Sequence, residues 1–372
     1  MNMHEEDSSR RDDFPTDTLV EILRRLPPNY RRRSRLVCRQ WRDTVDERTA
    51  TDLLNRAKTL LVDEETAFVL DNKWILKPVM DSPEGQAMEV VGTCNGLICL
   101  YDDNRPGGAI SLANPANGEK LLLPPLPCAD NFMRGRSRWH KAYGFAHHQG
   151  TGRYKVVRIP CCFDRQFGKV QVFTLGETSW RDVAAPAVGG SGTRCLRDAG
   201  ILSVDGAVYW VADGTERIMS FDLEGECVSF VKPLPVPLWT RPRSSFRLAE
   251  VYGRLGITIA DDSMEKTDVW VLESARGKQR WRRWFSVEMS VQPPQLLMLP
   301  HFTHGKHVLM RGDGIDFVYV HKPKPNGTEK RLRYGKVQIS EGNRGLSAIE
   351  GDVYRAFDYV DNKEPLNVYR LW

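Results

Sequence analysis

The stretch VDGAVYW at residues 204–210 decides the fold. A tight turn at Gly206 opens it, and a short apolar and aromatic strand follows. IEGDVYR at 349–355 repeats the pattern, with YGRLGIT (252–258) and THGKHVLM (303–310) in similar places between the two. Gly206, Gly253, Gly305 and Gly351 thus recur at intervals of 46 to 52 residues. That is the period of a four-stranded propeller blade. A second marker supports the repeat: a later strand in each unit runs into SFDLEGE (220–226), WVLESARG (270–277) or YVHKPKPNG (319–327), and an element rich in aromatics or charge comes next.

Outward from the repeat, GLICLY (96–101), YKVVRI (154–159), VQVFTL (170–175), AVYWVA (207–212), TDVWVL (267–272), HVLM (307–310) and DFVYV (316–320) are short runs rich in β-branched and aromatic residues. Turn residues bound them, so the region from about residue 60 onward reads as all-β. At the observed period its length, about 310 residues, predicts six blades, or seven if strands from TLLVDEE (59–65) pair with the last strand of the chain to close the ring.

Before residue 60 the period changes. Leu19, Ile22, Leu23 and Leu26 fall at i, i+3, i+4 and i+7 on one helix face, with Thr16 and Asp17 at the start and Pro27-Pro28 at the end. Val37, Cys38, Trp41 and Val45 predict a second helical face, while Arg35, Arg39, Arg42 and Asp43 lie largely off it. Two helices this short bury little against each other, so the apolar stripe calls for an external partner. The predicted division is a disordered tail over 1–12, a helical docking module over 13–55 and a propeller over 56–372.

Composition fits a globular protein of two or three domains: 372 residues, 41% hydrophobic and 27% charged. A net charge of +5 is too small for a dedicated nucleic-acid binder. No run reaches the roughly 18 apolar residues of a membrane span, and the start, MNMHEEDSSRRDDF, is polar where a signal peptide is apolar. The expected location is the cytoplasm, the nucleus or both. The eight cysteines never form two CxxC pairs and read as small buried hydrophobes.

Residues 13–48 resemble an F-box, on Phe14-Pro15, the amphipathic helix from Leu19 to Leu26-Pro27, and Val37-Cys38-Arg39-Gln40-Trp41. The remainder is similar to the F-box-associated, kelch-like β-propeller of plant F-box proteins, on GTCNGLICL (92–100), LANPANGEKLLLPPLP (112–127), VQVFTLGETSWRDV (170–183), DGAVYWVA (205–212) and IMSFDLEGE (218–226). The resemblance implies a non-catalytic substrate-recognition subunit of an SCF-type (Skp-cullin-F-box) E3 ubiquitin ligase. Phe14, Pro15, Leu19, Ile22, Leu23, Leu26, Pro27, Val37, Cys38 and Trp41 would dock a Skp-family adaptor, and through it cullin and RING subunits. The propeller would hold a protein target, raising the local concentration of its lysines. Where the family usually has an apolar residue after the Leu-Pro, this chain has Tyr30-Arg31-Arg32-Arg33, and losing one aliphatic anchor is worth roughly 1.5 to 3 kcal/mol. The alternatives are an interaction scaffold outside the ligase and a propeller lectin or enzyme.

Between Arg24 and Arg42 stand eight arginines and no acidic residue. A solvated helix face, steering toward an acidic adaptor, and nuclear import or RNA contact all fit that run. His301, His304 and His307 surround a turn into a strand, and with no carboxylate or cysteine beside them they predict no metal site. No GxSxG, HExxH or phosphate-cradling glycine loop occurs, so neither catalytic residues nor a cofactor are expected. Trp139, His140, Trp239, Arg241 and Arg243 lie in long connections and are the candidate target contacts, Trp and Arg being favoured hot spots.

Overall fold

The computed structural model describes residues 15–25, 34, 37, 39–44, 58–62, 66–70, 76–82, 88–102, 104–105, 108–126, 142–148, 150–160, 168–186, 194–196, 199–215, 217–238, 241, 245–251, 253–261, 266–275, 278–288, 298–301, 307–311, 317–321, 334–336, 355–361 and 365–369. The chain divides into two compact units, Met1–Arg56 and Ala57–Trp372.

In the first unit, helix α1 spans Thr16–Arg25 and helix α2 spans Arg39–Thr44. The Leu19 N–H donates to the Pro15 carbonyl at 3.0 Å and begins α1, where Asp17 suits the positive end of the helix dipole. Leu19 and Leu23, one turn apart, have no accessible surface, and Trp41 of α2 packs against them. Val37 sits in a turn ahead of α2, 63% exposed.

The second unit contains six four-stranded antiparallel sheets among the described residues. Five follow chain order: β4–β7 (Glu89–Cys94, Leu97–Asp102, Ala109–Asn114, Glu119–Leu122), β8–β11 (Tyr143–His148, Arg153–Arg158, Lys169–Thr174, Arg181–Ala184), β12–β15 (Ile201–Val204, Ala207–Val211, Ile218–Asp222, Cys227–Phe230), β16–β19 (Phe246–Val251, Arg254–Ala260, Lys266–Ala275, Lys278–Glu288) and β20–β23 (Met298–His301, His307–Arg311, Phe317–His321, Tyr334–Lys336). The sixth joins distant segments: β24 (Arg355–Tyr359) pairs with β1 (Lys58–Val62), followed by β2 (Thr66–Leu70) and β3 (Leu76–Asp81). The first strands of successive sheets, β4, β8, β12, β16, β20 and β24, are neighbours in turn, and β24 returns to β4. The sheets therefore close a six-bladed ring, as the repeat predicts. The predicted pairing of the early strands with the last one is present, but it completes the sixth blade and adds no seventh.

The turns follow from residue type. Asn95-Gly96 and Asp205-Gly206 have positive φ at both positions (49° and 81°, 49° and 76°), the two-residue turn whose twist suits a hairpin. The core lies between blades. Trp210, Phe221, Phe145, Val172 and Leu112 share one cluster spanning three blades, and Phe246, Ile257, Val211 and Trp281 share another. Gly144 allows the close approach at β8, since a Cβ there would meet Val208 Cγ1 at 2.7 Å. Two tryptophans tie neighbouring blades in the same way: Trp180 Nε1 donates to the Pro124 carbonyl (3.3 Å) and Trp281 Nε1 to the Lys232 carbonyl (2.7 Å). Each is followed by arginine at an outer strand, and each reaches the segment just past the preceding blade's outer strand. Trp210 lies in the inter-blade cluster and Trp180 packs against it.

Candidate functional site

The helical unit separates its apolar residues into two sets. Leu19 and Leu23 have no accessible surface in the free chain and pack with Trp41 in the unit's own core. Ile22, 37% exposed, Val37 and Pro15 face outward. Ile22 and Val37 are the exposed large aliphatic side chains of this unit among the described residues. Beside them Arg25 pairs with Glu21 at 3.1 Å, one turn away and solvent-exposed. Phe14, Leu26, Pro27, Cys38 and Arg31 to Arg33 lie outside the described residues.

On the ring, strand direction assigns two faces. Turns such as Asn95-Gly96, 150–152, Asp205-Gly206 and 223–226 open on one face, and the connections from one blade to the next open on the other. Trp139 and His140 belong to the chain between β7 and β8, and Trp239 and Arg243 to the chain between β15 and β16; all four lie outside the described residues. Arg241 is described. Its Nη1 donates to the Ala260 carbonyl at 3.0 Å, so this side chain braces the connection against β17.

A charged cluster on the turn face joins the β8–β11 blade to the β12–β15 blade. Lys155, only 8% exposed at its side chain, donates to the Leu223 carbonyl (2.6 Å) and to Glu226 Oε1 (2.7 Å). Arg181 grips both oxygens of Glu226, reaches Glu177 at 3.1 Å and donates to Thr174 Oγ1 at 2.9 Å. Hydrogen bonds from Arg181 first, and from Lys155 as well, overcome the opposing desolvation and pull the Glu226 carboxyl down to about 2. Its folded value lies below its unfolded one, so the stabilisation is full above the unfolded value and fades as pH falls toward about 2. Glu226→Gln should therefore cost about 2 kcal/mol at pH 7, allowing for the partial exposure of Arg181. The gap from the unaltered protein should shrink as the pH drops below the ordinary carboxylate range. Urea unfolding at pH 7, 4 and 2.5 measures it; a gap independent of pH would contradict the assignment.

Cys99 and Cys195 are buried, and burial drives the Cys99 thiol well above its usual range, so these two are inert packing groups as expected. Cys227 is exposed, against that reading, because the outer strand β15 has one face in solvent. His147 and His148 point apart: the first lies 4.7 Å from the Tyr154 ring, and Nδ1 of the second lies 2.7 Å from Thr151 Oγ1. Among the described residues no group of His, Cys, Asp and Glu could hold a metal ion, and no helix is long and apolar enough to cross a membrane.

The chain thus carries a small helical unit followed by a closed ring of six four-stranded blades. Residues 65–319 match the F-box associated beta propeller domain and residues 12–49 match the F-box domain. The chain belongs to the F-box-associated β-propeller family and carries an F-box ahead of the propeller. In Arabidopsis thaliana it is similar to F-box protein At3g07870, 24% identical over 74% of this chain and 72% of that one, and to putative F-box protein At5g52610, 28% identical over 72% and 76%. F-box/kelch-repeat protein At4g19930 from the same plant is 22% identical over 76% of this chain and 70% of its own. Among solved structures, TolB from Acinetobacter baumannii has a TM-score of 0.45 at 12% identity, covering 82% of this chain and 67% of that one.

Proposed function

We propose that this protein is the substrate-receptor subunit of an SCF-type ubiquitin ligase, with the F-box docking a Skp-family adaptor and the propeller binding the protein to be ubiquitinated. The observation that carries the reading is the division of the helical unit: Leu19 and Leu23 hold it together while Ile22, Val37 and Pro15 are left for a partner. A ring of this size supports target binding on broad loop surfaces and requires no chemistry of its own, since positioning a lysine near a reactive thioester is a sufficient source of rate. The same reading places the work in the cytoplasm or the nucleus, where cullin complexes would meet it. The arginine run fits steering toward an acidic adaptor.

Capture on an immobilised Skp-family adaptor tests the docking step. Ile22→Asp replaces an exposed side chain, so the helix should survive while a charge enters the interface. Retention should fall at least tenfold relative to the unaltered chain. Equal retention would remove Ile22 from the interface and with it the reading of this face.

A further inference from the structure

Residues 365–369, beyond β24, are seated against the β4–β7 and β8–β11 blades. Leu366 is 1% exposed and belongs to the large inter-blade cluster. Its N–H donates to Glu119 Oε2 at 2.5 Å. That carboxylate is aimed by the preceding turn, because Asn117 Nδ2 donates to the same oxygen (3.2 Å) while Asn117 Oδ1 accepts the Glu119 N–H (3.0 Å). One turn later the Tyr369 N–H donates to the Leu366 carbonyl at 3.2 Å, and the Tyr369 ring stands edge-on to Tyr154 at 6.2 Å. Tyr154 is itself fixed by stacking on Phe145 and by the nearby His147.

These are the parts of a peptide-recognition groove. One apolar cavity takes a leucine, one oriented carboxylate reads the leucine's own backbone N–H, and an aromatic floor takes a tyrosine three residues on. The carboxylate is the telling element, because most buried backbone N–H groups are satisfied by secondary structure and this one is met by a side chain that another blade turn positions. Val368 between the anchors is 65% exposed, and the described residues 367–369 form a single 3-10 turn in place of a strand. We infer that this groove is a binding site for short peptides presenting Leu and Tyr three residues apart in a single turn, and that residues 365–369 occupy it in cis. A tethered occupant acts at millimolar effective concentration, so an incoming segment must outcompete it. The site belongs to the propeller alone and stands whether or not the F-box recruits a ligase.

A fluorescein-labelled peptide of residues 364–372, EPLNVYRLW, is the probe, titrated by polarisation against the full chain. The Leu366→Asp chain, its groove vacated, should bind the probe at least tenfold more tightly than the unaltered chain. Adding Glu119→Ala to that variant should lose tenfold or more, and a probe with its leucine changed to Asp should not bind. Tyr369→Ala provides a gentler release and should give an intermediate affinity. Failure of both variants to bind the probe while they still melt cooperatively would overturn the proposal. So would loss of cooperative melting in both, because residues 365–369 would then be a fixed part of the core.

Discussion

A chain ending at residue 353 is expected to lose cooperative unfolding altogether. The truncation removes β24, which pairs five residues with β1 from Lys58↔Tyr359 to Val62↔Arg355 and stands between β20 and β4 on the inner wall. Tyr359, 2% exposed, clusters with Leu60, Val62 and Val90. Thr93 Oγ1 of the next blade donates to the Asp358 carbonyl at 2.6 Å. Without β24 the buried edge of β1 opens to solvent, the ring has one inner strand too few, and an unpaired edge invites association. The loss is comparable to the whole stability of a domain, about 5 to 15 kcal/mol. Circular-dichroism melts of this chain and of one ending at 361, which keeps β24, provide the comparison. The longer chain should melt cooperatively, and the shorter should melt broadly or aggregate. Equal midpoints would show that β24 does not close the ring.

The second large effect belongs to Leu23. Leu23→Ala removes a side chain with no accessible surface from a core that the described residues build around Leu19, Leu23 and Trp41. Such a truncation costs about 2 to 5 kcal/mol, and a unit of this size has little to spare. The helical unit should unfold, and adaptor capture should vanish with it, while the ring melts unchanged. Hydrogen exchange separates this from Ile22→Asp. In the Leu23 variant the amides of residues 19–25 and 40–44 should exchange at nearly the unfolded rate, whereas the Ile22 variant keeps its protection and loses only the partner. Protected amides in Leu23→Ala would contradict the division into a structural and a docking set.

The ring was legible because its blades repeat in sequence. Glycines at 206 and 253 have the positive φ (76° and 73°) that the turn readings require, and the apolar runs from 96 to 320 coincide with strands. Periodicity also placed Leu19, Ile22 and Leu23 on one helix stripe. It could not say which edge of that stripe the second helix would cover, because the position of Trp41 depends on a chain path that local spacing does not encode. The tryptophan ties were half visible: Trp-Arg recurs at 180–181 and 281–282, but the acceptors are backbone carbonyls and carry no residue signature. The Glu226 clamp sits inside SFDLEGE, a segment quoted as a blade marker, while its partners Lys155 and Arg181 are 71 and 45 residues away. Leu366 and Tyr369 left no trace, since one leucine and one tyrosine near the last strand have no periodic context. Their meaning comes from Glu119, 247 residues distant.

The central claim is that the helical unit couples a target-binding ring to an adaptor, and reconstitution tests it most directly. The full chain, a Skp-family adaptor and a cullin subunit are mixed at micromolar concentration and resolved by size exclusion with mass measurement by light scattering. One co-eluting species with the mass of one copy of each is expected. Ile22→Asp should leave this chain eluting by itself at an unchanged volume. Elution of the unaltered chain apart from the adaptor would contradict the account.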